Sequence, residues 1–311
     1  MRSFIVRRLI SLIPVVLGIS VVTFLLVHLM PVDPAQAYLS VVKIPPTDEA
    51  IAAARIELGL NKPLPIRYME WMGNALRLDF GKSYVTKKPV LEELMYAFPA
   101  TVQLASFAFA WLVVISIPLG LLSALHKNSI LDHISRLISF AGASMPSFWL
   151  GFILIYIFSL KLGLFPVMGR GTARHVILPS FTLAVGLAAS YIRLLRANIL
   201  ENMRHQSVLY ARARGLKEKL ILGRYVLKNS LLPILNAFGI NFGYLLTGSF
   251  IVENVFAWPG IGRLITQSIF NRDYPMIQGY VIFTAVIFVF SNLIVDVLSA
   301  YLDPRIRKGE I

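Results

Sequence analysis

The sequence predicts an all-α integral membrane protein with six transmembrane helices, and three observations carry that prediction. Of 311 residues, 57% are hydrophobic and only 15% charged, against roughly 25% charged in soluble domains, and the mean hydropathy is +0.70. Six apolar stretches approach the ~20 residues that a helix needs to cross the hydrocarbon layer. The 30 Lys and Arg residues are unevenly shared among the connections, as expected where basic loops stay in the cytoplasm. The formal charge of +14 therefore reads as membrane orientation rather than as a nucleic-acid-binding face. There is no cysteine, which excludes structural disulfides, thiolate metal sites, iron–sulfur clusters and cysteine nucleophiles.

The first span runs from Leu9 to Met30 behind Arg7 and Arg8. Its apolar run is longer than the roughly 7 to 15 residues of a signal-peptide core and no small-x-small site closes it, so a retained helix is expected. Pro31-Val32-Asp33-Pro34 stops it sharply. Residues 31–98 are too polar to span and too long for a tight turn. They are expected to form an extracytoplasmic subdomain, in which Thr47-Asp48-Glu49 caps a helix that continues through Glu57 and ends at Gly59. Five spans follow, at Pro99 to Leu125, Leu137 to Leu160, Val176 to Leu195, Leu231 to Val252 and Gln278 to Tyr301. Pro14, Pro118 and Pro146 remove backbone donors, and neighbouring groups must satisfy the freed carbonyls. With the N-terminus in the cytoplasm, the cytoplasmic segments hold 17 Lys and Arg and the two short external loops five. The eight basic residues of the long external segment are matched by eight acidic ones, and a loop of that length escapes the count. Both termini are thus expected inside. The predicted division is a leading helix (1–30), the external subdomain (31–98), a five-helix core (99–302) with a basic cytoplasmic segment at 199–230, and a cytoplasmic tail (303–311).

That basic segment, from Ser207 to Pro233, is the most distinctive stretch of the chain. Ser207 can act as an N-cap and Gly215 suits the left-handed position just past a helix end, which predicts two helical turns between them. Val208 and Leu209 are apolar, and Ala211 and Ala213 are small. Such a helix can seat closely in a partner's groove while Arg212 and Arg214 stay solvated or meet acidic groups. On composition alone, an ordinary juxtamembrane basic loop is the alternative.

Other motifs point less far. Gly81-Lys82-Ser83 mimics the end of a phosphate-binding loop, but Leu76 stands where that motif needs a glycine. Ser144 could suggest an intramembrane nucleophile, yet no base is visible at its depth: His28 sits at the outer end of the first span, and His126, His133, His175 and His205 fall in loops or at span ends. Ser144, Met145 and Pro146 rather mark a locally broken helix. Asp296 is an ionisable group within a span, open to pairing with internal-loop bases or Asn292, or to a role in transfer. Gly239, Gly243 and Gly248 with Asn236 and Asn241 make the fifth span small and polar, suited to close packing or to lining a path. His28, Met30, Met168 and His175 are weak candidates for metal contacts near the outer surface.

At Tyr210-Ala211-Arg212-Ala213-Arg214-Gly215 and Leu216, followed by Leu231-Leu232-Pro233, the chain resembles the cytoplasmic coupling signature of bacterial ABC-importer permeases of the peptide/nickel branch. Tyr210 replaces the acid of the general signature, and the gap to Leu-Pro is longer. The resemblance covers nearly the whole chain: Phe4 to Arg8 with Pro14, Leu58-Gly59-Leu60 with Pro63-Leu64, Asp79-Phe80-Gly81 with Ser83, Pro99-Ala100-Thr101, Met145 to Leu150, Val252 to Arg263, Arg272-Asp273-Tyr274-Pro275 and Leu302-Asp303-Pro304-Arg305. Within the branch, Ile44-Pro45-Pro46-Thr47 and Ile269 to Pro275 resemble the first permease subunit of nickel importers. The resemblance implies a type I importer fold and a multi-pass place in the bacterial inner membrane. It implies a second permease subunit, two cytoplasmic ATPases that bind ATP and magnesium, and an extracytoplasmic binding protein. This chain itself is expected to hold no cofactor and to catalyse no reaction. It would form half of a path for nickel, free or chelated, worked by alternating access, with Ser144, Met145, Asn236, Asn241 and Asp296 as path candidates and residues 210–216 coupling to the ATPases. A dipeptide, oligopeptide or metallophore importer is the alternative within the branch. An ion-gradient carrier would call for paired intramembrane carboxylates or histidines, and Asp296 has no such partner in the sequence.

Overall fold

The computed structural model describes residues 2–29 and 32–302. In chain order its helices are α1 (Arg2–His28), α2 (Pro34–Val41), α3 (Asp48–Glu57), α4 (Leu64–Leu76), α5 (Val90–Leu125), α6 (Ile130–Ser144), α7 (Ser147–Leu154), α8 (Ala173–Asn202), α9 (Gln206–Ala213), α10 (Glu218–Ile221), α11 (Lys228–Gly248), α12 (Phe250–Val255), α13 (Ile261–Phe270) and α14 (Tyr274–Leu302). Ile155–Lys161 and Leu222–Leu227 are π-helical. The expected all-α class is met, and the described β-pairing is one isolated bridge between Lys82 and Pro89. Met30 and the tail 303–311 lie outside the described residues.

Two units are distinguished. The first comprises the residues up to Thr101 together with Pro259–Leu293, and the second Val102–Trp258 with the residues from Ile294 on. In the first, α1 meets α4 through a hydrogen bond between the Ser20 and Tyr68 hydroxyls at 2.8 Å and through Phe24, edge-on to Tyr68 at 5.4 Å between ring centroids. Asp33 caps α2, accepting from the Ala35 amide at 2.8 Å, and takes a further hydrogen bond from Arg55 Nε at 3.0 Å. Burial pushes the Asp33 carboxyl up, but those hydrogen bonds and the Arg55 charge outweigh it and hold the carboxyl below the usual value. Thr47 caps α3, and Gly59 ends it at φ +64°, both as the sequence predicts.

The loop before α5 is fixed by a buried carboxylate at the start of α14. Asp273 accepts from the Ser83 hydroxyl, from the amide of Tyr84 at 3.0 Å, and from the amides of Val85 and Met276 at 3.4 Å each. The serine of the phosphate-loop mimic thus spends its hydroxyl on Asp273. Removing this acceptor strands several donors, and a buried unsatisfied donor costs about 1–3 kcal/mol. Asp273→Ala is therefore expected to leave helix content intact while exposing residues 81–88 to limited proteolysis of the membrane-embedded protein. An unchanged cleavage pattern would show that the loop is held by other contacts.

In the second unit, α6 is followed by α7 and its π-helical continuation to Lys161, and the two apolar limbs are bent by 108° at the break between them. The bend has a local cause. Pro146 disfavours helical backbone at the residue before it, and Met145 is extended at φ −85°, ψ 121°. The broken helix expected at Ser144 to Pro146 is present. Gly142 of α6 sits against α8, where an added Cβ would lie 3.2 Å from Val185 and 3.3 Å from Ala189. The Tyr191 and Phe238 rings, on α8 and α11, lie 4.6 Å apart between centroids.

Among the described residues, α5, α8 and Tyr274–Val295 of α14 are long and apolar enough to cross a membrane, and the bent pair Ile130–Ser144 and Ser147–Lys161 adds a fourth if it is one span rather than a re-entrant loop. The predicted first span contributes a shorter apolar helix, Ile13–Val27. The predicted fifth span, Leu231 to Val252, is interrupted at Ser249 between α11 and α12. The second predicted span is longer than expected: α5 continues it back to Val90, through Pro99.

Candidate functional site

The basic segment folds into a small, well-capped platform. α9 has two turns, as predicted, but its N-cap is His205 rather than Ser207. The His205 backbone is extended, and its Nδ1 accepts from the Ser207 amide at 3.3 Å and faces the Ser207 hydroxyl at 2.9 Å. The C-terminus is closed as the sequence predicts. Gly215 has φ +75°, its amide donates to the Arg212 carbonyl at 2.9 Å, and the Leu216 amide donates to the Ala211 carbonyl at 3.2 Å. This pair of bonds is the Schellman arrangement, which favours glycine at the turning residue.

Two side chains assigned to a partner-facing role turn inward instead. Val208 and Ala211 are buried against Leu195, Ile199, Ile221 and Val226, because a two-turn helix must cover its own platform before it can offer a surface. Leu209 and Tyr210 are left 65% and 66% exposed, and Leu220 of α10 is 46% exposed. Arg212 is exposed and meets an acidic group, one of the two alternatives expected for it. Its Nε donates to Glu218 Oε1 at 2.6 Å and Nη2 to Oε2 at 3.3 Å, which ties α9 to α10. The Arg212 guanidinium holds the Glu218 carboxyl below its usual value. Arg214 and Ala213 are exposed beside the two apolar side chains.

Adjacent on α8 lies a cluster that sequence reasoning missed. Asp132 near the start of α6 is fully buried. Its Oδ1 accepts from Ser123 Oγ at 2.6 Å and Arg196 Nε at 2.7 Å, and its Oδ2 from the Asn128 amide at 2.9 Å and Arg196 Nη2 at 2.8 Å. Arg136 Nε lies 3.7 Å from Oδ1. One signal was available: Ser129 and Asp132 have the spacing of a capping box, and Ser129 does cap α6. Further along α8, Asn202 Nδ2 donates to Ser230 Oγ at 3.1 Å, and Ser230 Oγ to the Asn198 carbonyl at 3.2 Å, which binds α8 to the start of α11.

The path candidates are dispersed. Ser144 is exposed and Met145 half-buried at the α6–α7 break. Asn241 is tied to α8, its Nδ2 donating to the Tyr191 hydroxyl at 2.6 Å and to the Ala237 carbonyl at 3.0 Å. The side chains of Asn236, Asp296 and His28 lie outside the described residues, as does Met30. Gly239 packs: a Cβ there would stand 2.2 Å from Val295 Cγ1. Glu253, within the Val252 to Arg263 motif, is fully buried and accepts from Ser249 Oγ at 2.7 Å. Of the weak metal candidates, Met168 is exposed, while the His175 ring lies 3.0 Å from the Thr172 hydroxyl, in a capping box at the start of α8.

Residues 116–308 match the family described as binding-protein-dependent transport system inner membrane component, and residues 1–105 match its N-terminal companion. The chain is 40% identical over 311 residues to the glutathione transport system permease protein GsiC of Pectobacterium atrosepticum. It is 37% identical over 308 residues to that of Escherichia coli K12, and each alignment covers 99% of both proteins. Among solved structures it is similar to a chain of the MetNI methionine ABC transporter in an inward-facing conformation, with TM-score 0.55 and 20% identity over 68% of this chain and 96% of that one. A chain of an amino acid ABC transporter with histidines gives TM-score 0.53 and 19% identity, over 69% and 94% respectively.

Proposed function

Because the chain belongs to the family of binding-protein-dependent transport system inner membrane components, with the fold of an ABC importer permease, we propose that it carries a glutathione-type short peptide across the bacterial inner membrane. The observation that supports this cargo is the 40% identity, over 99% of both chains, to a permease named for glutathione transport. Nickel, the cargo expected from the short stretches at Ile44 and Ile269, has no counterpart in the names of these relatives, which favour the peptide alternative within the branch.

In this reading the basic segment lies in the cytoplasm and α9 docks on an ATPase subunit. Leu209, Tyr210 and Leu220 are the apolar contacts and Arg214 meets acidic groups at the rim. Exposed apolar area is favourable to cover, at about 25 cal/mol per Å², and the adjacent guanidinium orients the encounter. A second permease subunit completes the path and an extracytoplasmic binding protein supplies the peptide. ATP-driven closure of the ATPases displaces α9, and the helices above it move as rigid bodies between two arrangements.

The test is uptake by cells expressing the chain with its partner subunits, using labelled glutathione, a labelled dipeptide and radioactive nickel. Uptake of glutathione, with nickel at the level of cells lacking the chain, is expected. Nickel uptake without peptide uptake would overturn the cargo while leaving the fold and the family untouched.

A further inference from the structure

We infer that Asp132 is a positioning residue of transport: paired with Arg196, it joins the ends of α5, α6 and α8 into one piece, so that displacement of α9 reaches the break at Met145. The inference rests on the reading of α9 as the ATPase-docking helix and adds how motion leaves it.

The geometry has three parts. First, Asp132 is fully buried and both its oxygens are occupied, by Ser123 Oγ at the end of α5, the Asn128 amide in the connecting turn, and the two-pronged Arg196 guanidinium of α8. A forked Arg–carboxylate pair fixes orientation as well as distance. Buried ion pairs are weak devices for stability, since apolar replacements of similar volume often do as well, and specificity of arrangement is their better-attested use. Second, Arg196 stands on the same helix that leads into α9, and the platform under α9 includes Leu195 and Ile199 on either side of it. The Asn198, Asn202 and Ser230 bonds fasten that part of α8 to α11. Third, α6 is held to α8 at two levels, by Asp132 near its start and by Gly142 packed on Val185 and Ala189 near its end. Between them α6 is a strut, and its far end is the bend at Met145 and Pro146. Loosening the first fastening lets α8 move with α9 while α6 stays behind.

The test uses the importer assembled from all its subunits and compares Asp132→Asn and Arg196→Lys with the parent. ATPase co-purification, ATP hydrolysis with and without binding protein, and peptide transported per ATP are measured. Asp132→Asn keeps shape but removes the charge, and Arg196→Lys keeps the charge but not the fork. Expected is unchanged co-purification with transport per ATP reduced about tenfold, within the range of ordinary coupling free energies, and hydrolysis that responds less to the binding protein. The inference is overturned if transport per ATP is unchanged, or if transport and hydrolysis fall together in step with the amount of assembled complex, which marks a purely structural role. Should Asp132→Asn fail to assemble, Arg196→Lys decides by the same criteria. Failure of the parent protein to co-purify with ATPases would instead overturn the docking reading beneath the inference.

Discussion

Gly215→Asp is expected to leave the protein inserted in the membrane and to abolish its association with ATPase subunits. Space is not the reason, because a Cβ on Gly215 meets nothing within 4 Å. Backbone strain contributes only modestly. The residue sits at φ +75°, where an L-residue is penalised by about 1–2 kcal/mol and Asp less than most. The larger effect is charge. The new carboxylate stands beside Arg214, on the face that the proposed function directs toward acidic partner groups, and a like-charge meeting in an interface costs several kcal/mol. Gly215→Asn separates the two causes, since it keeps the shape and tolerance of Asp without the charge. It is expected to retain most ATPase binding, whereas Gly215→Asp is expected to lose about a hundredfold or more, on the order of 3 kcal/mol. Co-purification and uptake in the same cells measure both. Normal ATPase association of the Asp variant would remove the docking role from α9.

Gly239→Leu is expected to prevent accumulation of folded permease. Even the first added carbon would stand 2.2 Å from Val295 Cγ1, 2.6 Å from Cγ2 and 2.9 Å from Cβ. Movement of Val295 is disfavoured, because a β-branched side chain in a helix has one strongly preferred rotamer. Overpacking of this kind typically costs about 1–3 kcal/mol, and a leucine adds three further carbons to the same collision. Gly239→Ala is expected to lower folded yield measurably, and Val295→Ala in the same chain to restore it. Thermal stability in detergent reads both effects. An additive loss in the double variant would show that the two helices do not depend on this contact.

Local features were legible in the sequence and pairings were not. Thr47, Gly59, Pro146 and Gly215 act through their own backbones or near neighbours, and each does in the structure what its chemistry predicts. Asp132 and Arg196 are 64 residues apart, and Ser83 and Asp273 are 190 apart. Nothing in either half of such a pair names the other. The sequence does not fix the direction of Val208, because a short helix with apolar residues on two sides does not say which side has a home in its own protein. His205 carries a weaker cap signal than Ser207, because the strongest N-caps are hydroxyl, carboxylate and amide side chains. The cargo was hard to read for a different reason. Several of the motifs that mark the branch, among them Ser83, Asp273, Gly59 and Pro146, hold turns and caps in place. They therefore report the scaffold rather than the cargo.

The separation of Asp132 from Arg196 also has a bearing on biosynthesis. Translation delivers the carboxylate 64 residues before the Arg196 guanidinium, whereas the Ser123 hydroxyl, the Asn128 amide and the Arg136 guanidinium all lie within nine residues of it. The turn between α5 and α6 can form in that interval, but the fork closes only once α8 has emerged. The full set of Asp132 contacts is thus completed only by a later helix, and a chain truncated before residue 196 keeps the Arg136 charge beside Asp132 but lacks the two-pronged Arg196 contact.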